Sequence, residues 1–239
     1  MWAEFAPAKI NLTLELTGKR ADGYHTLQSL IVFAACGDSI SAEPSDASLL
    51  SINGAFGHHL QGNAEDNLIM KALRAVEKIC KKPLNVAVKL EKNLPVASGI
   101  GGGSADAAAM LRILRKILGK QVKDSDWQEV ALALGADVPV CLESKSAFVS
   151  GIGEILHPVK QVPAYGIVLV NPMKALATKE VFGVLNGSFV APEAAPPNMT
   201  QTAFRKYISG IRTLLYFLLI EDVNIAPSKY PSPFEEGEM

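Results

Sequence analysis

Pro95-Val96-Ala97-Ser98-Gly99-Ile100-Gly101-Gly102-Gly103-Ser104-Ala105-Asp106-Ala107-Ala108 is a glycine-rich turn that runs directly into an alanine-rich helical pattern. Gly99, Gly101, Gly102 and Gly103 remove the Cβ atoms that would hold an anion off the backbone, and they admit turns whose successive N–H groups face one concavity. The helix that follows adds its unpaired N–H groups and the positive end of its dipole, so the stretch reads as a cradle for phosphate. No Lys-Ser or Lys-Thr follows the glycines and the sixth position from Gly99 is Ser104, so neither G-x-x-x-x-G-K-[ST] nor G-x-G-x-x-G fits. The competing reading is a tight turn or flexible linker with no ligand. A linker should not be followed at once by a strongly periodic helix.

Upstream of the loop, Leu84, Val86, Val88 and Leu90 alternate as a strand that leads into it. Downstream, the helix is expected to bury Ala107, Met110, Leu111, Leu114 and Leu118 and to turn Arg112, Arg115 and Lys116 to water. An earlier helix over residues 66–81 places Ile69, Leu73, Val76 and Cys80 on one stripe, with Asp66 or Asn67 as cap. In residues 9–17, Ile10, Leu12, Leu14 and Leu16 alternate with Asn11, Thr13, Glu15 and Thr17, which predicts a half-buried strand with Lys9 and Asn11 on its polar face. Residues 18–24 read as a turn. Strands follow over 26–33 and 39–43, with Gly37-Asp38 as a hairpin signal between them, and residues 45–62 are irregular.

Ser125-Asp126-Trp127-Gln128 has capping-box spacing and Gly135 marks a C-terminal stop, which predicts a helix over 126–134 with Trp127 in the core and Asp137 just beyond. Strands near 146–150 and 165–170, helices over 178–185 and 205–220, and a boundary between two lobes near 153–163 complete the pattern. There is no internal repeat.

The chain has 239 residues, about half of them apolar, and a net charge of −1 with no lysine or arginine cluster. That balance fits a compact protein with a small-molecule partner and gives no electrostatic footprint for nucleic acid. Cys36, Cys80 and Cys141 are widely spaced in apolar surroundings, as expected of reduced core cysteines in a cytoplasmic protein. The N-terminus lacks an apolar signal segment, and the longest late apolar run, residues 214–220, is too short to span a bilayer.

Four motifs together resemble the GHMP kinase superfamily: Ala6-Pro7-Ala8-Lys9-Ile10-Asn11-Leu12, Arg20-Ala21-Asp22-Gly23-Tyr24-His25, the loop over residues 95–108, and Leu134-Gly135-Ala136-Asp137-Val138-Pro139. The match covers roughly residues 3–183 in the family's order. Within the superfamily it is most similar to the branch that phosphorylates 4-diphosphocytidyl-2-C-methyl-D-erythritol on the non-mevalonate isoprenoid route. The resemblance implies an α+β, two-lobe fold, with a ribosomal-protein-S5-like N-terminal ATP-binding lobe over residues 1–155. A shortened ferredoxin-like lobe over 156–220 and a disordered tail over 221–239 would follow, since nothing after residue 190 matches the family's third, glycine- and serine-rich motif.

The same resemblance implies ATP with Mg²⁺ as cofactors and assigns roles. Asp137 would accept the hydroxyl proton and Lys9 would pair with it. Pro95, Val96, Ala97, Ser98, Gly99, Ile100, Gly101, Gly102, Gly103, Ser104 and Ala105 would embrace the ATP phosphates. Asn11, Tyr24, His25 and Thr178 would line the acceptor pocket, with Tyr24 stacking on the cytosine. No metal ligand is assigned. Asp106 is expected to complement the helix dipole, and His58, His59 and His157 lack partners at ligand spacing. By residue type alone Lys9 and Asp137 read as solvated surface charges. Another small-molecule kinase of the superfamily, acting on homoserine or mevalonate, and a non-catalytic nucleotide-binding remnant are the alternatives.

Overall fold

The computed structural model describes residues 1–60, 62, 64–160, 162–163, 166–168, 189–192 and 218–220. The expected helices over 178–185 and most of 205–220, and Thr178 with them, lie outside the described residues. A seven-stranded sheet is built on one long strand, β3 (His25–Pro44). Antiparallel to it run β1 (Trp2–Asn11), β2 (Glu15–Lys19), β5 (Val86–Glu91) and β6 (Ala147–Ser150). At the edges, β4 (Leu49–Asn53) pairs parallel with β5, and β7 (Ile155–Pro158) pairs antiparallel with β6. β8 (Gly166–Val168) and β9 (Leu218–Ile220) form a separate ribbon.

Four helices, α1 (Leu68–Cys80), α2 (Gly102–Leu118), α3 (Asp124–Leu134) and α4 (Val138–Glu143), pack with Ile40, Ala42, Val86, Val88 and Leu90 into the larger core. This is the expected α+β class. Ten of the 17 residues of α2 are buried, including Met110, Leu111, Ile113 and Leu114. Each such side chain contributes roughly 1.5–3 kcal/mol on burial, so the N-terminus of α2 is presented on a firm base. Among the described residues no helix is long and apolar enough to cross a membrane.

A smaller core gathers Ala8, Ile10, Leu12, Leu30, Val32 and Phe148 on the other face of β1 and β3. Both faces of β1 are therefore covered near its end. The polar face expected to meet water is instead buried, with Lys9 at 3%, Asn11 at 8% and Thr13 at 1% exposure. Alternation reports which residues share a face and says nothing about what covers the polar one.

The hairpin expected at Gly37-Asp38 does not exist, because β3 runs straight through it. Gly37 stands opposite Pro7, beside the register shift between Pro7 and Lys9. A Cβ on Gly37 would lie 2.4 Å from the Ala6 carbonyl oxygen and 2.7 Å from Phe5 Cζ. The glycine marks a close approach of two strands, and Gly37→Ala is expected to lower stability by about 1–3 kcal/mol, read as a reduced urea midpoint with an unchanged slope.

Other expectations shift for similar reasons. The irregular stretch contains β4, an edge strand whose side chains alternate between half-buried and exposed. Arg112 does not face water: its guanidinium bonds Glu4 at 2.7 Å and the Phe5 and Cys141 carbonyls at 2.7 and 2.8 Å. α3 begins at Asp124 without a side-chain cap bond, so the capping box is not used. Trp127 is buried as expected. Cys36 is exposed and only Cys141 is fully buried.

Candidate active site

The chain leaves β5, passes through residues 92–94, and turns over residues 95–101 into α2. Gly101 is the N-cap, in a left-handed conformation with φ 66°, and Gly99 has φ 76°. Ala105 N donates to the Gly101 carbonyl at 2.8 Å as the first helical bond. The amides of Gly102, Gly103 and Ser104 precede it and have no intrahelical acceptor, which is the donor set an anion needs. The Lys9 amide donates to the Ile100 carbonyl at 2.9 Å and ties the loop to β1. A Cβ on Gly101 would sit 3.0 Å from both Cβ and Cε of Lys9, so loop and lysine are in direct contact.

Lys9 extends from there to a second group. Its ammonium lies 3.1 Å from Asp137 Oδ1 and donates to Asn11 Oδ1 at 2.6 Å. Asn11 Nδ2 donates to Ser29 Oγ at 2.7 Å, Ser29 Oγ donates to the Thr13 carbonyl, and Thr13 Oγ1 accepts from Leu30 N at 2.7 Å. Ser29 is fully buried, and the only mark it carries in the sequence is that of a polar residue inside a strand pattern. Asp137 occupies the junction between α3 and α4 and is 47% exposed, while Lys9 is 3% exposed. The arrangement is thus a carboxylate open to a ligand and backed by a buried ammonium, neither of them an ordinary surface charge. Cys141, whose amide donates to the Asp137 carbonyl at 3.2 Å, is held as a neutral thiol because burial pushes it up to about 12.

His25 begins β3 at a distance from this cluster, and Tyr24 sits in the turn before it. The turn over residues 20–24 is closed by Arg20 N on the Tyr24 carbonyl at 2.7 Å and Gly23 N on the Arg20 carbonyl at 3.0 Å, and Tyr24 is 61% exposed. His25 opens β3, six residues before Ile31, the partner of Asn11. In extended chain that is up to about 20 Å from the Lys9 cluster. The ring of His25 lies 6.4 Å from that of Phe189.

Asp106 departs from its expected role. As the fifth residue of α2 it is 3% exposed, and its Oδ2 takes a 2.7 Å bond from Lys92 Nζ, which also bonds Asp38 Oδ2 at 2.5 Å. Burial raises the Asp106 carboxyl from 3.8 to about 7, opposed by Lys92 and reinforced by Asp38. Between those values the folded chain holds a proton that the unfolded chain has released, so this group makes stability fall as pH rises from about 4 to about 7. Melting temperatures of the parent and Asp106→Asn, taken across that window, should therefore diverge, with the parent losing ground toward pH 7.

Among the described residues no three His, Cys, Asp or Glu side chains converge on a metal position. The two acids beneath the loop are already engaged by Lys92. A cavity of about 450 Å³ lined by Leu50, Ile52, Gly57, His58, Leu60 and Asn67 adjoins the start of α1, where Leu68 Cδ1 lies 3.6 Å from the position of a Cβ on Gly103. Its walls come from β4, the segment that follows it and the α1 cap, one residue from the Leu68 contact with the loop.

The family described as GHMP kinases N terminal domain matches residues 67–145. A 4-diphosphocytidyl-2-C-methyl-D-erythritol kinase of Rhizobium johnstonii is 50% identical over 182 residues, 75% of this chain and 59% of that protein. One from Rhizobium etli is 45% identical over 201 residues, 84% of this chain and 67% of that protein. A crystal structure of 4-(cytidine 5'-diphospho)-2C-methyl-D-erythritol kinase superposes with a TM-score of 0.67 at 30% identity, covering 89% of this chain and 73% of the other. The chain thus spans about three fifths to two thirds of the length of these curated relatives. The matched region contains the phosphate loop and the Asp137 junction, and likeness in sequence and in fold agree on one assignment: the chain belongs to the 4-diphosphocytidyl-2-C-methyl-D-erythritol kinase family of the GHMP kinases.

Proposed function

We propose that this chain transfers the γ-phosphoryl group of ATP to the 2-hydroxyl of 4-diphosphocytidyl-2-C-methyl-D-erythritol, a step in making isoprenoid precursors without mevalonate. The observation that carries the reading is the position of Lys9, packed against Gly101 of the phosphate loop and 3.1 Å from Asp137. A cation between a triphosphate cradle and an accessible carboxylate is what phosphoryl transfer needs, since that chemistry depends on positioning and charge stabilisation.

In this reading the amides of Gly102, Gly103 and Ser104 bind phosphate oxygens and the cavity beside α1 receives the adenine nucleoside. Mg²⁺, when bound with ATP, neutralises charge on the phosphates. Asp137 accepts the hydroxyl proton at one of its carboxylate oxygens, and the Lys9 ammonium holds the carboxylate in place and steadies charge on the group in flight. Asn11 has both ends of its amide engaged and acts by orienting Lys9, with Ser29 and Thr13 fixing the amide in turn. Tyr24 and His25 take the cytidine end, and the separation of His25 from the Lys9 cluster along β3 suits an acceptor whose reacting hydroxyl and base are joined by a diphosphate. Thr178 is proposed for the same pocket from the family resemblance.

The test is ADP release by the purified chain with Mg-ATP, with and without this acceptor, and with homoserine or mevalonate in its place. Release that depends on the cytidylyl acceptor supports the reading. Nucleotide binding with no acceptor-dependent ADP sinks it in favour of a binding remnant, and release with another acceptor moves the assignment within the superfamily.

A further inference from the structure

We propose that Asp38, Lys92 and Asp106 form a buried clamp that closes the phosphate loop at both ends, and that Lys92 is its positioning residue for nucleotide binding. The inference rests on the loop being a nucleotide site, as proposed above. At the entrance, Asp38 Oδ1 accepts from Asn93 N at 2.6 Å and from Leu94 N at 2.8 Å. At the exit, Lys92 Nζ joins Asp38 Oδ2 at 2.5 Å to Asp106 Oδ2 at 2.7 Å, on the second turn of α2. The two ends of a loop that spans residues 93–106 are therefore linked through one ammonium and one carboxylate on β3.

The ammonium itself is held from several sides. Lys92 N donates to the Asn53 carbonyl at 2.8 Å and its own carbonyl accepts from Phe56 N at 2.9 Å, so its backbone is fixed to the β4 side of the sheet. Its Nζ lies 3.0 Å from where a Cβ on Gly102 would be, directly beneath the first residue of α2. Asp38, Lys92 and Asp106 are each 3% exposed or less, and Asp106 Oδ1 is buried with no partner. Two buried carboxylates on one ammonium add little to stability compared with apolar packing of the same volume. What the cluster does provide is a fixed distance between loop entrance and helix start, and the phosphate-binding amides converge only when that distance is kept. It works from below the loop, independently of Lys9, which contacts Gly101.

Calorimetric titration with the Mg²⁺ complex of a non-hydrolysable ATP analogue, alongside amide exchange over residues 93–104, tests this on Asp106→Ala and Asp106→Asn. Asn keeps an oxygen for Lys92, so Asp106→Asn should stay within about threefold of the parent, whereas Asp106→Ala should weaken the analogue at least about tenfold. Exchange of the loop amides should rise in Asp106→Ala while that of β1 does not, a split that general destabilisation would not produce. Parent-like affinity and exchange in folded Asp106→Ala, or equal losses in both variants, would overturn the clamp. Should Asp106→Ala not fold, Gly102→Ala decides: its methyl would meet Lys92 Nζ at 3.0 Å, Leu94 Cβ at 3.7 Å and Asp38 Oδ2 at 3.8 Å. Unchanged exchange at Asn93 and Leu94 in that variant refutes the proposal. If the parent fails to bind the analogue, the nucleotide reading fails, and loop exchange alone still judges the clamp.

Discussion

Asp137→Asn is expected to lower kcat by about 10²–10⁴-fold, the range a positioned general base supplies, while leaving nucleotide affinity within about twofold. The amide keeps the size of the carboxylate and can still accept from Lys9 Nζ, which lies 3.1 Å from Oδ1, but it cannot take a proton from the acceptor hydroxyl. The contacts that tie the loop to β1 are a backbone bond from Lys9 to Ile100 and the packing of Lys9 on Gly101, and neither involves Asp137. Because phosphoryl transfer has a loose transition state with late proton movement, the low end of the range is also consistent with the assignment. A folded Asp137→Asn enzyme that keeps more than a tenth of the parent's kcat would remove Asp137 from the role of base.

Lys9→Met should cost about 10²–10³-fold in kcat, the usual loss when a fixed charge aimed at a transition state is deleted. It carries a structural penalty as well. Asn11 Oδ1 would lose its 2.6 Å donor in a site only 8% exposed, at about 1–3 kcal/mol for an unsatisfied buried acceptor. The melting temperature should fall accordingly, and circular dichroism must show the variant folded before its kinetics are read. Lys9→Arg is not expected to restore turnover, because a guanidinium fork on a longer stem does not reproduce the buried point charge that sits 2.6 Å from Asn11 Oδ1 and 3.1 Å from Asp137 Oδ1. A Met variant within tenfold of the parent would show that Lys9 serves packing alone, and full activity in the Arg variant would show that a cation of either shape suffices.

The sequence by itself determined the elements with strong local signals. The stripe of α1 follows from spacing, and capping chemistry narrows its cap to Asp66 or Asn67; the structure uses Asn67, whose Oδ1 accepts from Ile69 N at 2.9 Å. The order strand, glycine loop, helix follows as well, because glycine φ freedom and 3.6-residue periodicity are properties of neighbouring residues. Lys9, Asn11 and Asp137 could be singled out only through the joint resemblance of several motifs, since each alone has the chemistry of a surface residue.

The tertiary structure decided what local patterns do not contain, namely which element lies over which face. Gly37-Asp38 carries a turn signal, yet pairing with β1 across both residues and with β5 from Ser39 onward keeps β3 extended through it and delivers Asp38 to Lys92, 54 residues away in sequence. Asp106 looked like a dipole partner until β3 and β5 brought two charges against it. Ser29 and Thr13 became parts of the site because α2 and the smaller core cover both faces of β1. Burial converts a polar side chain from a solvated group into one that must find a partner, and that partner is set by contacts distant in sequence.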